Sequence, residues 1–411
     1  MQSVAKHLAW RSNQYVSNEA SEMLRYALHD HPSLFPPCMK TASLNIAFFG
    51  SSLVSAYWNG AATYYRGIVR ALHERGHHVT FYEPDAYERQ QNRDIADPDY
   101  ATVVVYEPTE EAAQRCLDAA AQEADVVVKA SGVGVLDEFL EREVLTLQTD
   151  DRLIIFWDVD APATLDRVHH NPADQFLSLI PRYDLILTYG GGDPVIEAYE
   201  TLGARQCVPI YNALDTATHH PVAPETRFAC DLAFLGNRLP DREARVEEFF
   251  LKPAADTPAQ SFIIGGSGWG DKPMPANVRY VGHVYTTDHN AFNCTPKAVL
   301  NISRESMARY GFSPATRVFE AAGAGACIIT DYWEGIDFFF EPGTEILVAR
   351  DGAEVAAIMA ELTTEQARAI GQAAYRKVLA AHTYGHRVEQ LEQLLLGELV
   401  MNESEAKRSS C

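Results

Sequence analysis

Strand-length runs of consecutive apolar residues recur along this 411-residue chain, each followed by a stretch with helical spacing, and this recurrence constrains the fold more than any other feature. Leu44-Asn-Ile-Ala-Phe-Phe49 is the first such run. It enters a Gly/Ser loop from Gly50 to Gly60, after which Tyr65, Ile68, Val69 and Leu72 mark a helix face. Arg75-Gly76 supplies a C-terminal stop signal, and His78–Tyr82 reads as the next strand. Comparable runs lie at Thr102–Tyr106, Asp125–Lys129, Arg152–Trp157 and Asp184–Thr188. Continuous apolar strands alternating with helices belong to a parallel sheet covered on both faces. After an irregular stretch from Tyr211 to Pro224 the pattern restarts. Strands are expected at Asp231–Leu235, Ser261–Ile264, Arg279–Val281, Ala298–Ile302, Ala326–Thr330 and Glu345–Val348, with helices at about 240–250, 314–324 and 351–361.

The expected architecture is therefore α/β, with two Rossmann-like doubly wound domains facing each other across a cleft at the carboxyl ends of their strands. An appendage spans residues 1–43, the first domain 44–215, the second 216–396 with helices at its C-terminal end, and a polar tail 397–411. The appendage is polar and ends in prolines at 32, 36 and 37. Association into a homo-oligomer stays open.

Composition narrows the function. The formal net charge is −22, which repels phosphate backbones and anionic surfaces, and no basic patch offsets it. The apolar runs fall far short of the roughly 20 residues that span a bilayer, so neither a nucleic-acid partner nor an integral membrane contact is expected. Seven scattered cysteines without a C-x-x-C pair suggest neither a disulfide framework nor a thiolate metal site. The N-terminus lacks a signal-peptide pattern, and a cytoplasmic location is expected.

Chemistry is expected in the loops after the strands. Gly50, Ser51, Asn59 and Gly60 place small residues ahead of the first helix, where a polar substrate can sit; a plain turn is the alternative. Gly132-Val-Gly134 lacks the third glycine of a dinucleotide fingerprint, since Asp137 stands there. Asp158 and Asp160 close a strand ended by Pro162, and either can face the cleft as a catalytic carboxylate or cap the next helix. In the second domain Gly236, Asn237 and Arg238 end a strand and Pro240 opens a helix, so Arg238 and Arg242 can reach one helix N-terminus and a diphosphate. The Gly265–Gly270 loop, including Gly266, permits close backbone approach.

The segment from Tyr310 to Gly325 carries the strongest signal. Ser313 reads as an N-cap and Pro314 as the first helical residue, which puts Arg317 and Glu320 on one face. A carboxylate there can accept two bonds from a ribose diol while the helix N-terminus faces phosphate. The doublets His77-His78, His169-His170 and His219-His220 lack helical zinc spacing, and no D-x-D apart from Asp158-Val-Asp160 lies beside a matching ligand set for a divalent metal. No metal and no resident cofactor are expected.

Several of these pieces together resemble the donor domain of GT-B glycosyltransferases. They are Phe234-Leu-Gly-Asn-Arg238, Val281-Gly-His-Val284, Ser313–Glu320, Gly323–Asp331, Phe340–Glu345 and His382–Arg387. The likeness is greatest to the group named after a spore maturation protein, which is similar in turn to glycosyltransferase families 1 and 4. The opening strand, Arg75-Gly76-His77 and Ile210–Asp215 resemble an acceptor domain. The resemblance implies a nucleotide-diphosphate sugar as donor and an unidentified acceptor. It further implies ribose binding by Glu320, diphosphate binding by Arg238 and Arg242, a base near His283 and Val284, and amides near Gly323 and Gly335 toward phosphate or sugar. Family 4 retaining enzymes carry a second glutamate eight residues earlier, and here that position is Phe312. An epimerase of the same fold and a non-catalytic nucleotide-sugar-binding protein are the alternatives.

Overall fold

The computed structural model describes residues 43–57 and 59–409. The appendage expected over residues 1–43 lies, but for Ser43, outside them. The first sheet holds β1 (Asn45–Phe49), β2 (His78–Pro84), β3 (Thr102–Tyr106), β4 (Val126–Ala130), β5 (Leu153–Asp158), β6 (Leu185–Thr188) and β7 (Cys207–Pro209), in the spatial order 3-2-1-4-5-6-7. The second holds β8 (Leu232–Leu235), β9 (Phe262–Gly265), β10 (Val278–Tyr280), β11 (Ala298–Asn301), β12 (Ile328–Asp331) and β13 (Leu347–Ala349), in the order 10-9-8-11-12-13. Every named pairing is parallel, with Phe49 opposite Tyr82 and Lys129 in the first sheet, for example. The central strands are buried from end to end, as their apolar runs require, and two apolar clusters cover each sheet.

Strand order reverses beside β1 in one sheet and beside β8 in the other. Crevices open at such points because successive crossover helices pass to opposite faces. The sequence reading placed every strand except β7, whose three residues Cys-Val-Pro are too short to register as a run. The expected helix at 314–324 starts later, spanning Thr316–Gly323. Ser313 is not its cap: Ala315 holds that position, with no side-chain cap bond.

The C-terminal helix, Tyr384–Ser409, also departs from expectation. Its buried face, Tyr384, Val388, Leu391 and Leu395, joins the core of the first sheet instead of the second, and it runs on through the expected tail. Gly67 on the Ala62–Glu74 helix permits this, because a Cβ there would lie 2.1 Å from the Tyr384 ring. Leu214 and Thr383 form a short parallel bridge at the crossing. Arg387, buried in the same place, donates to the carbonyls of Tyr211 and Asn212 and to His382 Nδ1. The chain thus returns to the first sheet through a hydrogen-bonded joint beside the linker. Among the described residues no helix is long and apolar enough to cross a membrane.

Candidate active site

The carboxyl ends of the two sheets border one cavity of about 640 Å³. Its first-domain wall is built by the loop after β1. Gly50 lies beneath that loop, where a Cβ would meet the Phe81 ring at 2.5 Å. Ser51 Oγ donates to Asn59 Oδ1 at 2.9 Å, and Asn59 Nδ2 donates to the carbonyls of Ser52 and Ser55. Buried Glu83 accepts from Ser52 Oγ, the Leu53 amide and Gln90 Nε2. The loop is therefore braced from within, and Ser51, Asn59 and Gly60 line the cavity.

The two aspartates divide. Asp158 is fully buried and accepts from Ser131 Oγ, Thr164 Oγ1, Tyr199 Oη and the Asp160 amide. Four donors occupy its carboxylate, so it organises the turn and does not face the cavity. Asp160 stands at the start of the next helix and lines the cavity, with its Oδ2 3.9 Å from Arg304 Nη1 of the second domain.

On the second-domain wall Gly236, Asn237, Arg242, Gly266, His283 and Val284 line the space. Gly266 has φ +116°, and a Cβ on it would sit 2.3 Å from the Gly236 carbonyl oxygen, so two loops meet backbone to backbone. Trp269 Nε1 and Asn237 Oδ1 lock that contact, bonding the Gly236 carbonyl at 2.7 Å and the Ser267 amide at 2.9 Å. Arg238 corrects the expectation that it reaches the cavity. Its guanidinium bonds Glu243 on one side and Asp271 with the Gly268 carbonyl on the other. Glu243, in turn, is held down at about 2 by Arg238 and Lys272.

Glu320 and Arg317 are brought to the cavity from the Thr316–Gly323 helix. The helix N-terminus reaches the same wall through Ala315 and Thr316, and Thr316 Oγ1 bonds Asn212 Oδ1 at 3.1 Å. Arg317 is buried enough that its guanidinium sits below its ordinary range, and its Nη1 has no hydrogen-bond partner. Burial by itself would raise the Glu320 carboxyl, but His219, Arg317 and His289 together hold it below the usual carboxylate range. Two other expected contacts lie elsewhere. Ser313 is buried against Gly190, and Gly335 supports the ring of Phe312, where a Cβ would be 2.3 Å away. Phe312 adopts φ +42° and is pinned by its amide on the Glu334 carbonyl and its carbonyl on the Gly191 amide.

Several lining residues had no sequence signal at all: Arg89, Tyr189, His289 and Arg304, while Asn212 showed only as part of the Ile210–Asp215 stretch. His219 was visible only as half of a doublet. The fold sets it near His289 and Glu320, three residues from three separate elements whose ligand atoms lie within 4.8 Å of one another.

A family of glycosyl transferase-like domains matches residues 242–393. No curated protein sequence matches the chain. Solved structures do. Sucrose-phosphate synthase from Thermosynechococcus elongatus superposes with a TM-score of 0.62 at 14% identity, over 87% of this chain and 100% of that one. HepE of Anabaena in complex with UDP-glucose gives 0.58 at 14% identity, over 86% and 100%. An alpha-glucosyltransferase in complex with UDP-glucose and DNA containing an abasic site gives 0.64 at 11% identity, over 86% and 100%. The two facing parallel-sheet domains are the GT-B glycosyltransferase fold, and the second carries a glycosyl transferase-like region.

Proposed function

We propose that this chain is a glycosyltransferase of the hexosyltransferase kind, moving a sugar from a nucleotide-diphosphate donor to an acceptor without a metal in the transfer step. The observation that carries this reading is the convergence of Glu320, Arg317, Arg242 and an uncapped helix N-terminus on one wall of the inter-sheet cavity. Glu320 accepts two bonds from the ribose diol. Arg242, Arg317 and the first-turn amides of the helix meet the diphosphate and stabilise the negative charge that grows on it as the sugar leaves. The backbone at Gly236, Asn237 and Gly266 approaches the phosphates closely, and His283 with Val284 frames the base. Arg238 takes no part, since its charge is already spent on Glu243 and Asp271.

The acceptor enters along the first-domain wall, past Ser51, Asn59, Gly60 and Arg89. Asp160 is the carboxylate placed to take a proton from it in an inverting reaction. A nucleic-acid acceptor, such as the DNA bound by the alpha-glucosyltransferase, is disfavoured here by the net charge of −22. The described cysteines, Cys116, Cys207, Cys230, Cys294 and Cys327, are all free thiols, which suits a reducing, cytoplasmic setting.

Calorimetry and thermal shift with a panel of nucleotides and nucleotide sugars test the donor site on wild type and Glu320→Ala in parallel. One nucleoside diphosphate is expected to stabilise the wild type, with most of that response lost in the variant. No binding anywhere in the panel would remove the donor-site reading. Incubation of the bound donor without acceptor then separates the rivals. An epimerised nucleotide sugar assigns an epimerase of this fold, and binding without turnover across a broad acceptor panel assigns a non-catalytic binding protein.

A further inference from the structure

His219 lies in the linker after β7, His289 at the start of the His289–Cys294 helix and Glu320 in the Thr316–Gly323 helix. None is near another in sequence, yet one nitrogen or oxygen of each falls within 4.8 Å of the others, and His219 Nε2 is 3.9 Å from Glu320 Oε1. His219 is 4% exposed, and its Nε2 makes no hydrogen bond although it is buried and faces the carboxylate. A buried ring nitrogen without a partner is destabilising, and a bound species that takes it removes that cost.

We propose that His219, His289 and Glu320 form a binding site for one divalent cation of the zinc class. Two imidazoles and one carboxylate are the ligand set of open zinc sites, which keep a fourth position for water or another ligand. Bonds of about 2.1 Å place tetrahedral ligand atoms roughly 3.4 Å apart, so side-chain rotations of about an ångström complete the set. Each ring is already held through one nitrogen, His219 Nδ1 by Thr218 Oγ1 at 2.9 Å and His289 Nε2 by the Val284 carbonyl at 3.3 Å. Such outer partners orient metal-binding imidazoles. Arg317, three residues before Glu320 on the same helix, borders the same cavity. Arg317 also weakens any dication at this place, so the site is of modest affinity and suited to exchange.

The consequence for function rests on the transferase reading. Glu320 cannot accept a ribose diol and ligate a cation at once, so metal and donor exclude each other. With the metal at ten times its own dissociation constant, competition raises the apparent donor dissociation constant about tenfold.

The test uses the untagged 411-residue chain, stripped with a chelator and titrated with Co²⁺ as the spectroscopic stand-in for Zn²⁺. One equivalent is expected to produce visible ligand-field absorption that Zn²⁺ then abolishes. His219→Gln and His289→Gln are expected to lose it while keeping the wild-type circular dichroism spectrum. Absence of the absorption in the wild type, which depends on no variant folding, overturns the site, and so does its persistence in both variants. Ribonucleosides, which carry the diol but no phosphate to chelate the metal, are then added to the cobalt form. Displacement supports the shared use of Glu320. Retention of the metal alongside a bound nucleoside keeps the metal site and removes the ribose role of Glu320. Nucleotide binding with no metal binding keeps the transferase reading and removes this site.

Discussion

Arginines of one segment serve different ends according to what their side chains meet. Arg238 and Arg242 are four positions apart and both follow the Gly236 turn, yet Arg238 is consumed by Glu243 and Asp271 while Arg242 borders the cavity. Arg317, with an unpartnered Nη1, is the guanidinium best placed to receive an anion. Charge-assisted hydrogen bonds contribute roughly 1.5–3 kcal/mol, so Arg317→Ala is expected to weaken nucleoside-diphosphate binding by about ten- to a hundredfold. Arg238→Ala is expected to change it by less than about threefold, because its guanidinium is held by Glu243 and Asp271 and does not line the cavity. Isothermal titration of the two variants side by side checks this, and an equal loss in both would mean that Arg238 swings into the cavity. The aspartates repeat the lesson. In sequence Asp158 and Asp160 are equivalent, two apart at a strand end. Only the positions of Ser131, Thr164 and Tyr199, contributed by three other stretches of chain, consign Asp158 to the interior.

Elements were more legible than residues. Strands sealed on both faces leave a continuous apolar signature, so all but the three-residue β7 could be read from the chain. The start of the Thr316–Gly323 helix could not, because the Phe312 amide and carbonyl are claimed by Glu334 and Gly191 and the chain is still extended through Ala315. Tertiary hydrogen bonds overrode a good local capping sequence. The docking of the last helix was equally hidden, since it depends on one missing methyl group. Gly67→Ala would place a Cβ within 2.1 Å of the Tyr384 ring. Overpacking of this kind costs about 1–3 kcal/mol. The expected result is a lower urea midpoint with faster hydrogen exchange in the Tyr384–Ser409 helix, whereas Gly60→Ala, which meets nothing within 4 Å, serves as the unperturbed control.

At the scale of the molecule, the joint between linker and C-terminal helix ties stability to pH. His382 is buried there, its Nε2 3.0 Å from the Phe339 carbonyl and its Nδ1 accepting from Arg387. Burial first, and the Arg387 charge second, depress it from its ordinary 6.5 to about 3, and His289 falls to about 4. A folded value below the unfolded one means that the unfolded chain binds the extra proton. Stability is therefore intact above about pH 6.5 and declines as pH falls toward these folded values, by roughly 1.4 kcal/mol per pH unit for each histidine. Urea unfolding between about pH 7 and about pH 5 is expected to show a falling midpoint, and a flat midpoint would place His382 in water. The two parallel-sheet domains, their order and the cleft between them were legible in the chain alone, because burial of a strand and the period of a helix are local properties. Packing in three dimensions sets which polar groups face that cleft, where the last helix returns, and that His219, His289 and Glu320 share one place. Those outcomes depend on distances between segments remote in sequence, and on which partner reaches each buried charge first.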